Sequence, residues 1–95
     1  MNWLVFETKS ARKCLEKIPG EIAERYDAWV QLVVAKGPDA LRQINGYRDH
    51  SLKGEWEGAR SSSLNMQWRV IYVVEGKAVT VTVVKISPHD YRSKR

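Results

Sequence analysis

Cysteine is nearly absent, with Cys14 the only one. One thiol cannot close an internal disulfide or form the cysteine cluster of a structural zinc site. Cys14 is expected to be a small buried hydrophobe on a helix. Histidine is almost as scarce. His50 and His89, together with dispersed acids, show no metal-ligand spacing. No apolar run approaches the ~20 residues of a membrane-spanning helix. The opening, Met1-Asn2-Trp3-Leu4-Val5-Phe6-Glu7, becomes acidic too soon for a secretory signal, so the cytoplasm is the expected compartment. Internal repeats, linkers and low-complexity stretches are also missing. What remains is a single domain spanning residues 1–95, whose size leaves only a modest net stability.

The 43% hydrophobic and 28% charged residues fit an ordinary globular chain, but the charge is uneven. Residues 1–45 carry seven basic and six acidic side chains, whereas residues 46–95 carry nine and five. The first half reads as a solvated surface. The second offers a basic face to a polyanion, and composition alone does not choose among RNA, DNA and an acidic protein.

Apolar residues 3–6 predict a first strand. Thr8 or Ser10 can cap a helix in which Ala11, Cys14, Leu15 and Ile18 share a face. Pro19-Gly20 breaks that helix. A second begins at Glu21, where the macrodipole favours an acid, with Ile22, Tyr26, Trp29, Val30 and Val33 as its apolar stripe. Gly37-Pro38-Asp39 interrupts it, and a short helical turn follows over 39–44. Alternation resumes later. Trp68, Val70 and Tyr72 share one face of a strand and Arg69, Ile71 and Val73 the other. Of the two, Ile71 and Val73 are expected to meet Ile22, Trp29 and Val33. Glu75-Gly76 reads as the two-residue turn of a hairpin, and residues 77–86 as a strand in which Val79, Val81 and Val83 alternate with Thr80, Thr82 and Val84. The order predicts an α+β domain: an antiparallel sheet of about four strands with an N-terminal helical hairpin on one face.

Residues 47–72 organise this plan. A polar loop with Arg48, Asp49, His50 and Lys53 precedes Gly54 and Gly58, which bracket two acids and a tryptophan. A polar strand with Arg60 and Ser61-Ser62-Ser63 follows. The serines read as exposed strand serines, since they lack the turn that presents a serine nucleophile. His50 and His89 both lie in polar segments at strand ends, outside any apolar period. His50 must reach back along the sheet to approach His89, and its lead-in before Gly58 is long enough. Two imidazoles beside a basic surface suit phosphodiester cleavage. RNA carries its own 2′-hydroxyl nucleophile, and histidine, with an ordinary pKa of ~6.5, exchanges protons at neutral pH. Arg60, Arg69 and Lys85, on strands, are placed to stabilise developing phosphorane charge. Tyr91 can stack on a base or bond a phosphate.

The segment D-H-S-L-K-G-E-W-E-G-A-R-S-S-S-L-N-M-Q-W-R-V-I-Y resembles the signature of the RelE superfamily of type II toxin–antitoxin toxins, nearest its YafQ-like and HigB-like branches. The matching positions are Leu52-Lys53-Gly54, Gly58 and Gln67-Trp68-Arg69-Val70-Ile71-Tyr72, and Ile86-Ser87-Pro88-His89-Asp90-Tyr91 resembles the last strand and tail of the family. The resemblance implies a ribosome-dependent mRNA endonuclease that cuts the A-site codon, uses no metal or cofactor, and is neutralised by a cognate antitoxin. It implies functional roles for His50 and His89, and for Lys85 as the basic residue late in the last strand. Catalysis is thus expected from His50, Arg60, His89 and Tyr91, and RNA contact from Arg48, Lys53, Arg69, Lys85 and Arg92. Two positions depart from the family pattern. Ser63 stands where YafQ-like members hold histidine and HigB-like members arginine, and Gln67 replaces an acid; Arg60 is expected to supply the charge Ser63 lacks. The competing readings are a non-enzymatic toxin resembling ParE, which inhibits DNA gyrase, and a basic nucleic-acid-binding module. The sheet lacks the paired exposed aromatics of an RNA-recognition surface, which weakens the last.

Overall fold

The computed structural model describes residues 2–86. Strand β1 (Leu4–Glu7) leads into helix α1 (Lys9–Leu15) and helix α2 (Gly20–Lys36). Two 3-10 turns, Pro38–Gln43 and Asn45–Tyr47, then reach β2 (His50–Ser51). A third, Gly54–Trp56, precedes β3 (Arg60–Ser63), β4 (Trp68–Glu75) and β5 (Ala78–Ile86). The break expected at Gly37-Pro38 falls where α2 stops, whereas α1 stops earlier, at Leu15, and Pro19-Gly20 opens α2 instead of ending α1. Among the described residues no helix is long and apolar enough to cross a membrane.

The described strands form one sheet of five in the order β1-β5-β4-β3-β2. Strands β2 to β5 are antiparallel to their neighbours, but β1 runs parallel to β5. The expected count of about four therefore rises by one, and the antiparallel expectation fails at one edge. Thr8 explains much of that edge. Its hydroxyl accepts from Ala11 N at 3.0 Å, capping α1, and donates to the Thr82 carbonyl of β5 at 2.7 Å. One side chain thus starts the helix and fastens the end of β1 to the last strand.

The core lies between the helices and one face of the sheet. Ala11, Ile22, Tyr26, Trp29 and Val33 meet Val70, Tyr72, Val79, Val81 and Val84 there. This reverses the expected parity of β4. Val70 and Tyr72 face the helices, and Ile71 points to the other side. The reason is aromatic packing. The Trp29 ring meets Tyr72 edge-on with centroids 5.3 Å apart and stacks on Tyr26 at 5.9 Å, and such pairs stabilise beyond their buried area. The Trp29 indole N–H is buried without a hydrogen-bond partner, so packing alone holds the ring.

β5 does not alternate throughout. Its register against β4 shifts between Ile71 and Tyr72: Ile71 pairs with Val83 and Tyr72 with Val81. Thr82 is the extra residue of a β-bulge, and its hydroxyl donates to the Ile71 carbonyl at 3.0 Å. The bulge switches the parity of the strand. Val79 and Val81 face the helices before it and Val84 after it, while Val83 and Lys85 turn to the opposite face. The hairpin turn is Gly76-Lys77, one residue later than expected, since Glu75 already pairs with Ala78; Gly76 has φ +60°.

Gly37 ends α2 at φ +86°, where a Cβ would sit 2.5 Å from Trp3 Nε1. Gly37→Ala therefore meets both backbone strain and overpacking, which costs about 1–3 kcal/mol. Chemical denaturation should show a lower midpoint with an unchanged slope; an unchanged midpoint contradicts this packing.

Candidate functional site

The chain enters β2 through an abrupt turn. Arg48 takes a left-handed conformation at φ 48°, and the next two residues alternate as strand residues do. Asp49 turns toward the helices and His50 away from them. The Asp49 side chain is fully buried. It accepts from Arg60 Nε at 2.7 Å, from Ser62 Oγ at 2.6 Å and from the Tyr72 hydroxyl at 2.5 Å. Burial opposes the charge on Arg60, but hydrogen bonding and attraction from Asp49 outweigh it and raise the guanidinium pKa. Tyr72 is pushed up by burial first, then by the bond to Asp49 and its charge, with Arg60 opposing.

This network changes the standing of two expected residues. Arg60 pairs in register with Tyr72, so it lies on the helix side, across the sheet from His50. Its expected place at the phosphate is corrected: its guanidinium neutralises a buried carboxylate. The serines were expected to be exposed, and all three are buried. Ser62 is buried because it bonds Asp49, and Ser61 because Arg69 Nη1 donates to its hydroxyl at 3.0 Å.

On the other face the register builds a second group. His50 pairs with Ser61, Ser61 with Ile71, and Ile71 with Val83. One step along the same face, Ser63 pairs with Arg69, and Arg69 with Lys85. Arg69 leans back over Ser61, the strand partner of His50. β2 runs antiparallel along β3, so a short strand stands where a loop was expected. The His50 Nδ1 lies 2.7 Å from the Arg48 carbonyl. A carbonyl only accepts, so Nδ1 carries the proton, and in the neutral ring Nε2 holds the lone pair.

The loop between β2 and β3 flanks this face. Leu52 N–H donates to the Ala59 carbonyl at 2.9 Å, and Ala59 N–H to the Trp56 carbonyl at 2.9 Å. Gly54 and Gly58 take the positive φ that closes the loop around Trp56. Lys85 Nζ stands 5.4 Å from the centroid of the Trp56 ring. Arg48 and Lys53 are exposed at the margin. His89, Tyr91 and Arg92 lie outside the described residues, as does any meeting of His50 with His89. Asp49 and Trp56 are the residues that sequence reasoning passed over. Asp49 directly precedes His50 at the start of β2, so the two side chains go to opposite faces; with the segment read as a loop, no local signal showed this. Among the described residues no group of three or more His, Cys, Asp or Glu is placed to hold a metal ion.

The sequence model for the ParE toxin of the parDE type II toxin–antitoxin system matches residues 5–91. The chain belongs to this toxin family. The RelE-superfamily resemblance of residues 49–72 is thereby placed within a known group of type II toxins, and the solved structures share the fold. Escherichia coli YafQ superposes with a TM-score of 0.73 at 15% identity, over 92% of this toxin and 96% of YafQ. A YoeB/ParE toxin from Agrobacterium tumefaciens gives 0.71 at 16% identity, over 88% of this toxin and 98% of its own chain. The YoeB–YefM complex from Staphylococcus aureus gives 0.70 at 12% identity, over 90% and 97%. No curated protein sequence matches the chain.

Burial raises the hydroxyls of both Tyr72 and Tyr26; Tyr26 also donates to Glu7 at 2.7 Å. Their folded pKa values exceed the unfolded value of ~10. The stability contributed by the neutral hydroxyls is complete below about pH 10 and is lost as pH rises through the folded values. Tyrosinate absorbance and circular dichroism followed together should show these two groups ionising only with base-induced unfolding. Ionisation of every tyrosine near the ordinary value, with native dichroism retained, contradicts the buried network.

Proposed function

We propose that this toxin is a ribosome-dependent endoribonuclease that cleaves mRNA in the A site, with no metal. The observation that carries this reading is the helix-free face. There a histidine of assigned tautomer shares a strand row with Ser61, under the Arg69 guanidinium, and Lys85 stands beside Arg69. His50 Nε2 takes the proton of the 2′-hydroxyl, and the 2′-oxygen attacks the adjacent phosphorus. The phosphorane charge that develops meets Arg69 and Lys85. The P–O5′ bond breaks to leave a 2′,3′-cyclic phosphate, and a second acid protonates the leaving 5′-oxygen. His89 is the residue proposed for that step and Tyr91 for holding the neighbouring base. Arg48, Lys53 and Arg92 track the phosphate backbone. Arg60 acts at a distance, by holding Asp49 and so the strand that presents His50.

A flexible strand needs to be positioned before such a reaction, and the ribosome supplies that orientation. Free RNA is therefore a poor substrate. The proposed protein partner is a cognate antitoxin with an acidic or amphipathic segment that covers the basic face. The YafQ and YoeB structures include toxins bound to the antitoxins DinJ and YefM.

A second reading has one specific support: the matching family is that of ParE, and a ParE-like toxin inhibits DNA gyrase by binding alone. The two readings separate in single-turnover cleavage of A-site mRNA on programmed ribosomes. His50→Ala should slow cleavage about 10²–10⁴-fold, the usual contribution of an acid–base group, and Lys85→Ala should also slow it while the fold is kept. Wild-type rates for His50→Ala would remove His50 from the chemistry. Inhibition of gyrase supercoiling with no cleavage would favour the second reading.

A further inference from the structure

We propose that Trp56 is a stacking platform for a nucleobase of single-stranded RNA, and that Lys85 beside it binds the phosphate of the same stretch. This rests on the reading of the helix-free face as an RNA surface. Trp56 stands apart from the hydrophobic core and keeps 39% of its surface in water. An exposed aromatic is not remarkable by itself. Three further features give this one a purpose.

The first is rigidity. Gly54 and Gly58 take left-handed conformations on either side of the ring, and the Leu52–Ala59, Glu57–Gly54 and Ala59–Trp56 backbone hydrogen bonds close the loop. The indole is therefore held out on a fixed backbone, and little ordering is needed before a base stacks on it. The second is the cation. Lys85 Nζ lies 5.4 Å from the ring centroid, on the strand partner of Arg69. A cation–π contact at a wet surface is weak, so a phosphate can draw the ammonium away while a base takes its place over the ring. The third is the sign of the neighbouring charges. Glu55 and Glu57, both exposed, flank Trp56 and repel phosphate from the tip of the loop. A neutral aromatic surface fits there, and the phosphate is directed inward to Lys85 and Arg69. Base stacking on one side with cations along the backbone is the general chemistry of single-strand binding. The platform tolerates any base, so codon preference is not its task.

The test uses the whole chain with an uncleavable 2′-O-methyl trinucleotide and a matched abasic trinucleotide. Indole emission is recorded for the wild type, Trp56→Phe, Trp56→Ala and Lys85→Ala, after circular dichroism has shown each to be folded. The base-bearing probe should quench the wild type, and that quenching should vanish in Trp56→Phe. Trp56→Ala should weaken binding of the base-bearing probe about tenfold to a hundredfold, the loss of one base stack, with Trp56→Phe recovering part of it. It should leave the abasic probe unaffected. Lys85→Ala should weaken both probes. Quenching that persists in Trp56→Phe overturns the proposal, as does an undiminished preference of Trp56→Ala for the base-bearing over the abasic probe, or no binding by the wild type. An effect of Trp56→Ala confined to antitoxin association assigns the ring to a protein partner and also overturns it. Stacking without cleavage by the wild type would reject the nuclease and keep the platform. Unaltered cleavage and binding by Trp56→Ala would do the reverse.

Discussion

The buried Asp49 carboxylate is the contact on which the helix-free face depends. An ionised carboxylate away from water must find donors, and removing one partner of such a pair costs about 3 kcal/mol or more. Asp49 finds a guanidinium and two hydroxyls, which come from β3 and β4. It thereby ties a two-residue edge strand to the centre of the sheet. A strand this short has few ladder bonds of its own, so its position rests on the side chain. Because Asp49 points inward, His50 must point outward, and a requirement of burial becomes the placement of an imidazole.

The bulge at Thr82 does for β5 what Asp49 does for β2. Strict alternation from Val79 and Val81 would have carried Lys85 to the helix side. The extra residue reverses the parity, and the basic side chain emerges beside Arg69. The two carbonyls at the kink are both used: Thr8 bonds that of Thr82, and Thr82 bonds that of Ile71. A residue at the other end of the chain therefore helps decide which face the last strand makes basic. Backbone irregularity and site geometry are coupled in this sheet.

Much of the architecture was legible because its signals are local. Gly37-Pro38 ends α2 by admitting a left-handed backbone angle and removing a donor, Pro19 stands at the start of α2 where its missing donor costs nothing, and the stripe from Ile22 to Val33 needs only the helical period. The residues that carry the family signature were also readable, since they sit in one continuous segment. What was not legible depends on partners distant in the chain. Ser62 looks like a surface residue until Asp49 lies beneath its hydroxyl. Arg60 and Arg69 look alike on paper, yet register sends one to a buried carboxylate and the other to the helix-free face. The parity of β4 was missed because both of its faces carry apolar residues, and Trp29, far upstream, chooses between them. The parallel pairing of β1 has the same origin: its neighbour is the last strand, which no local pattern announces.

The central claim is that Asp49 serves the reaction only through His50. The direct test is a double-mutant cycle of Asp49→Asn and His50→Ala in single-turnover cleavage of A-site mRNA, with both variants shown to be folded. The account predicts that Asp49→Asn slows the wild type but slows the His50→Ala protein no further, the non-additivity of groups that act as a unit. Independent, multiplying losses would contradict it and separate the buried network from the placement of the histidine.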